Sequence, residues 1–197
     1  KKTLVRRELK AGEFSFVLSQ AKVDAEGNVT EETPIETVEN DAEGKISFST
    51  IPYSEATLVD EDGTILKTRT LYYTIKEVKP DDADKTVIYD SKVVLIRVDL
   101  ADEQNGKITA MASDNAKEIN FTNIVVKTSK VDITDQHELE GATIQVIDVE
   151  TNEVIFEFVS GVEATEIENL EINKVYRLVE TVAPYGYNLQ ETSTTFR

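Results

Sequence analysis

The sequence predicts an all-β protein built as two tandem immunoglobulin-like β-sandwich domains. Three observations predict it: apolar and polar residues alternate with a period of two, turn signals recur at short intervals, and one organisation occurs twice along the chain.

The alternation starts near the beginning. Phe14, Phe16 and Leu18 interleave with Glu13, Ser15 and Val17, and Ile46 and Phe48 interleave with Lys45, Ser47 and Ser49. Short runs rich in Val, Ile, Thr, Tyr and Phe follow at 71–78, 87–89, 93–100, 108–112 and 119–124. The same pattern continues at 125–133, 143–148, 154–159, 175–181 and 192–196. Between them lie the turn sequences AEGN, DAEG, DEDG, EQNG and APYG. Successive strand residues face opposite sides, so such runs suit antiparallel sheets with one solvated face. One helical turn is expected near Ser113–Lys117, and no long amphipathic helix is present in the pattern.

Each half opens with a lysine-bearing strand and carries a late strand of the form Tyr-x-x-x-Glu. The late strand is YYTIKE, ending at Glu77, in the first half and YRLVE, ending at Glu180, in the second. The boundary falls at Ile124–Val126, giving domains 1–124 and 125–197. That junction has no Gly, Pro or Ser, the residues of flexible tethers, so it is expected to be stiff. The chain opens in one strand and closes in another and reads as a fragment, with the second domain expected to lack its final strand.

Composition excludes several functions. Lys and Arg total 21 against 38 Asp and Glu, a formal charge of −17. Nucleic-acid binding needs clustered cations, so it is not expected, nor is attachment to an anionic membrane. The absence of cysteine excludes disulfides and thiolate chemistry. The acidic turns Val59–Gly63 and Pro80–Asp84 do not complete an EF-hand ligand pattern, so they read as solvated turns, and neither metal nor cofactor is expected. The only histidine, His137, lies in an acidic turn with no catalytic partner in sequence.

Three polar residues stand out by parity. Lys2 shares a strand face with Leu4, Glu77 with Tyr73 and Ile75, and Asn123 with Phe121. All three therefore face the core. Burial disfavours charge, so a buried lysine tends to lose its proton and a buried glutamate to keep one. A neutral amine is a nucleophile, and a protonated acid polarises a carboxamide. Together they can form one amide from Lys Nζ to Asn Cγ with loss of ammonia. This is a single self-modification without turnover, so no enzyme is expected; a glycosidase using paired carboxylates is the weaker catalytic alternative.

These residues sit in the segments KKTLVRRELKAGEFSFVL, ENDAEGKISFSTI, YYTIKE and INFTN, which resemble a streptococcal-type pilin domain of the FctA class over residues 1–123. The resemblance implies an internal isopeptide between Lys2 and Asn123, assisted by Glu77; Lys1 has the wrong parity. The segments VVKTSKVDITDQHELEGATIQVIDVETNEV and YRLVETVAPYGYNL resemble the Cna protein B-type domain of Gram-positive surface proteins over residues 125–197. That resemblance implies a reactive Lys127 with Glu180 as its acid. By parity Lys127 lies with Val125 and Val131, whereas Lys130 lies with Asp132 on the polar face. The partner Asn or Asp belongs on a final strand. Asn152, Asn169, Asn173 and Asn188 all fall at turns, so none is expected to serve.

The function these readings imply is a structural subunit or stalk of a cell-wall-anchored pilus or surface adhesin, extracellular and strengthened by autocatalytic isopeptide bonds. Expected partners are other pilin subunits, the rest of a surface protein, or a complementing strand for the second domain. The alternative is an adhesin module recognising a host surface molecule, with the insertion Ala56–Thr70 as its first candidate surface. No LPxTG-type sorting signal occurs in the sequence. A stiff junction at 124–126 predicts a narrow distribution of interdomain angles in small-angle scattering; a broad one sinks it.

Overall fold

The computed structural model describes every residue of the chain except Glu61, which falls within the acidic Val59–Gly63 turn. The chain folds into two compact units. The first comprises 1–3, 8–80 and 90–122, and the second comprises 4–7, 81–89 and 123–197.

The first unit is built on a five-stranded antiparallel sheet. Its members are β2 (Ser15–Val23), β3 (Val29–Glu39), β4 (Thr68–Val78), β6 (Val93–Asp102) and β7 (Ile108–Ala112), in the order β3-β2-β4-β6-β7. Three shorter strands, β1 (Lys2–Val5), β8 (Phe121–Val125) and β5 (Val87–Ile88), follow the order β1-β8-β5, with β5 and residues 4–5 and 123–125 counted in the second unit. Phe16, Leu18, Tyr73 and Ile75 are buried as the alternation predicts, but Val17 and Ser19 of β2 and Thr74 of β4, on the opposite faces, are buried as well. The Phe16 ring packs on Phe121 at 5.1 Å between centroids.

The second unit has a four-stranded sheet made of β10 (Thr143–Asp148), β11 (Val154–Val159), β13 (Tyr176–Val182) and β14 (Thr194–Phe196). Their order is β11-β10-β13-β14. A small antiparallel pair, β9 (Lys127–Thr128) with β12 (Thr165–Glu166), accompanies it. The core is formed by Ala142, Ile144, Val146, Phe158, Ile167, Leu170 and Tyr176. The chain is all-β with sheets of sandwich type, as the alternation implies.

One strand goes unpredicted and two local expectations change. β3 carries no clear alternation, because it is an edge strand whose sequence VTEETPIETVE is mostly exposed; solvent on both faces erases the period-two signal. Residues 45–49 form only an isolated bridge, Asn40 to Ile46, rather than a strand. The run 125–133 is strand only at Lys127–Thr128, with an isolated bridge from Val131 to Glu138. The helical turn appears as a short 3₁₀ segment, Asp114–Ala116.

The acidic turns close on themselves. Asp60 Oδ1 accepts the N–H groups of Asp62 and Thr64, and Asp84 Oδ1 accepts that of Thr86. The insertion at 56–70 is anchored as well. Leu58 is fully buried, and the Arg69 guanidinium donates to the carbonyls of Thr57 and Val59 at 2.8 and 2.6 Å.

Gly44 fixes the start of β1. The Lys2 N–H donates to the Gly44 carbonyl at 2.6 Å, and a Cβ on Gly44 would lie 2.0 Å from the Lys2 carbonyl oxygen. Its φ of +79° is also unfavourable for any residue with a Cβ. Gly27, with φ +87°, has nothing near its missing side chain. Gly27→Ala should therefore cost only backbone strain of about 1–2 kcal/mol. Gly44→Ala adds a backbone clash and should lower the urea midpoint clearly further; equal midpoints would refute this role for Gly44.

Candidate functional site

β1 and β4 bring a lysine and a glutamate together inside the first unit. Lys2 Nζ donates to Glu77 Oε1 at 2.8 Å and to Oε2 at 2.9 Å. The two side chains are 0 % and 1 % exposed. The Lys2 ammonium also lies 4.4 Å from the centre of the Phe14 ring, a cation–π contact in a dry site. Burial pushes the Lys2 amine below the ordinary lysine range, while the hydrogen bond and charge of Glu77 oppose that shift. The direction is the one a nucleophilic amine requires.

β8 carries the third residue. Its burial alternates, with Phe121, Asn123 and Val125 all 0 % exposed and Thr122 outside. The strand is fixed through the successive N–H groups of Phe121 and Thr122. Phe121 N–H donates to the Lys1 carbonyl at 2.8 Å, and Thr122 N–H donates to Asp90 Oδ2 at 2.9 Å. The Lys92 ammonium bonds the Asn120 carbonyl and sits 4.9 Å from the centre of the Phe121 ring. Asp90 and Lys92 thus hold β8 in register; their sequence context, a turn after β5, gave no sign of it.

The second unit departs from expectation. Lys127 is 39 % exposed at its side chain and pairs with Glu166 at 3.0 Å, its cross-strand neighbour in the β9–β12 pair. It does not meet Glu180. Glu180 shares a face of β13 with Tyr176 and Leu178 and is 9 % exposed. Its Oε2 accepts the Gln190 N–H at 2.7 Å, and its Oε1 lies 3.0 Å from the Lys130 ammonium. Lys130, placed on the polar face by parity, is 19 % exposed at its side chain. The parity count fails because β8 pairs with β5, β9 pairs with β12, and the switch at Val126 resets the alternation. β9 also ends at Thr128, so nothing periodic reaches Lys130. The Leu139 N–H, donating to the Lys130 carbonyl at 2.7 Å, sets its position instead.

His137 is exposed and bonded to Asp135, which holds its imidazole above the ordinary histidine range. Among the described residues, no group of three or more His, Cys, Asp and Glu side chains could hold a metal ion.

The lowered Lys2 value has a pH consequence. In Asn123→Ala, Lys2 stays a titratable amine. Just below the ordinary lysine value of 10.5, the unfolded chain then binds more protons than the folded one. Stability should rise with pH through that window, relative to a Lys2→Met/Glu77→Gln/Asn123→Ala variant. A pH-independent difference between their urea midpoints contradicts the buried amine. A second measurement separates the two lysines of the other unit. Lys127→Ala should cost no more than about 1 kcal/mol, as exposed pairs do, and Lys130→Ala should cost more, because it strands the buried Glu180 carboxylate.

Two family models match the chain. Residues 1–126 match the family model of FctA, the Spy0128-like isopeptide containing domain, and residues 124–197 match that of SpaA, a prealbumin-like fold domain. No curated protein matches the chain. Among solved structures, the chain is similar to the Bacillus anthracis TIE protein at 17 % identity and TM-score 0.31. That match covers 99 % of this chain and 29 % of the other. It is similar to the group B streptococcus pilus 2b backbone protein at 17 % identity and TM-score 0.35, over 94 % of this chain and 71 % of that one. The major pilin subunit BcpA of Bacillus cereus is 14 % identical with TM-score 0.31, over 98 % and 92 % of the two chains. With the first of its two matches spanning well over half its length, the chain belongs to the FctA family of isopeptide-containing domains and is a structural, non-catalytic surface protein of pilin type.

Proposed function

We propose that this chain is a load-bearing segment of a cell-wall-anchored pilus, joined to other pilin subunits, and that its first domain seals itself with a covalent bond between Lys2 and Asn123. The observation that carries the reading is the buried pair of Lys2 and Glu77, with a carboxamide equally buried on β8. The chemistry balances within the chain. Neutral Lys2 Nζ attacks Asn123 Cγ, and Glu77, protonated by the lysine's proton, polarises the carboxamide, delivers that proton to the leaving nitrogen and takes up in its place the proton that the attacking nitrogen sheds as the amide forms. Ammonia departs and one amide remains. No cofactor takes part.

The mechanical sense follows from placement. The bond would tie β1 to β8, strands from opposite ends of the first domain, which we place at residues 1–124. A crosslink closing a loop of about 100 residues restricts the unfolded chain by about 4.7 kcal/mol. It also survives reducing conditions, unlike a disulfide.

For the second domain, 125–197, the reading moves from Lys127 to Lys130 as the amine beside Glu180. What supports it is the 3.0 Å approach of Lys130 to that carboxylate and the exposed pairing of Lys127 with Glu166. The Asn or Asp that completes this site is to come from an added strand. An apolar groove of about 680 Å³ in this unit, lined by Ile124, Val126, Lys127, Ile167, Leu178 and Phe196 but by neither Lys130 nor Glu180, offers room for an added strand. Recognition of a host molecule is the alternative; against its first candidate surface stands the anchoring of 56–70 through Leu58 and Arg69.

Intact mass tests the first bond. The protein should be lighter than its sequence mass by one ammonia, Glu77→Ala should restore the full mass, and its thermal midpoint should fall. Full sequence mass in the unmodified protein overturns the proposal.

A further inference from the structure

The two edges of the five-stranded sheet are treated differently. A sheet edge presents unpaired backbone groups, and monomeric proteins guard such edges with proline, charge or bulges. β3 has all three. It contains Pro34, it carries Glu31, Glu32, Glu36 and Glu39, and its pairing with β2 is interrupted at two places. β7 has none. Its sequence is ITAMA, its register with β6 runs without a break from Ile108 to Ala112, and four of its five residues are exposed. Met111 is 74 % exposed.

The hydrogen bonds show which groups are offered. Ser113 N–H donates to Arg97 O at 2.8 Å at one end of the hairpin, and Glu103 N–H donates to Lys107 O at 3.0 Å at the other. In an antiparallel ladder, alternate residues bond to the same neighbour. Thr109 and Met111 therefore face β6 with their backbone groups, in phase with Lys107 and Ser113. The N–H and C=O of Ile108, Ala110 and Ala112 point away from the sheet, and among the described residues they have no neighbouring strand.

We propose that β7 is a self-association edge, at which two copies of this chain pair antiparallel about a two-fold axis at Ala110. In that register Ala110 opposes Ala110 and Ile108 opposes Ala112, so each outward residue donates one bond and accepts one. The flanking charges choose the orientation. Lys107 precedes the strand and Asp114 follows it, the latter with its side chain 92 % exposed and within 2.6 Å of the Lys117 ammonium. Antiparallel pairing brings the cationic end of one copy to the anionic end of the other; parallel pairing sets like against like. The pairing rests on the first unit alone and is independent of the isopeptide reading.

The test uses the whole chain in sedimentation velocity at physiological salt, where the repulsion expected from a charge of −17 is screened beyond about 8 Å. The unmodified protein should pass with rising concentration from a 22.0 kDa species to one of twice that mass. Ala110→Pro removes an outward N–H without touching the β6 ladder, and Ala110→Lys sets two ammonium groups face to face. Either variant should stay monomeric with an unchanged far-ultraviolet spectrum. The chain has no cysteine, so Ala110→Cys gives a clean proximity probe. Hydrogen-bonded antiparallel partners lie about 5.5 Å apart at Cα, within disulfide range, and mild oxidation should yield a covalent dimer. A chain monomeric at every concentration overturns the proposal, as does a dimer that survives both Ala110→Pro and Ala110→Lys.

Discussion

The buried contact between Lys2 and Glu77 is the constraint around which the first unit is organised. An ammonium and a carboxylate taken out of water cost several kcal/mol each, and their attraction repays this only with good geometry. The structure supplies that geometry with two hydrogen bonds and the Phe14 ring. Removing one partner leaves a charge in an apolar interior, so β1 and β4 are bound to each other's register. Gly44 belongs to the same constraint, since only a residue without a side chain lets the chain approach the Lys2 backbone.

Such a pair is a poor way to gain stability, because apolar residues of equal volume do as well without the desolvation cost. Its retention in a structural protein makes sense when the charges are transient. In the proposed bond formation, transfer of the lysine proton to glutamate and acylation of the amine would turn two buried ions into neutral groups. The desolvation that depresses the Lys2 pKa would then act twice, favouring the nucleophilic amine and penalising the uncrosslinked state.

The second unit applies similar ingredients in a more open setting. Glu180 is held by a backbone N–H from Gln190 and approached by Lys130, which keeps partial contact with water. The apolar groove of this unit is lined by Lys127 and Leu178 rather than by Lys130 or Glu180.

Much of this was legible in the sequence. Runs rich in apolar and β-branched residues identified β2, β4, β10, β11 and β13, although β2, β4 and β10 bury consecutive residues and so present no uniformly wet face. Parity placed Lys2, Glu77 and Asn123 indoors, since each lies within a strand whose neighbours are strongly apolar. β3 was illegible because an edge strand with two solvated faces has no contrast to show. Lys130 was misplaced because parity propagates only along an unbroken strand, and the chain changes sheets at Val126. The sequence by itself determined which side chains are inward along each continuous strand, since that follows from local backbone geometry. Only the tertiary structure decided which lysine meets which acid, because that depends on where strands end and which sheet each joins, and those are set by contacts between residues far apart in the chain.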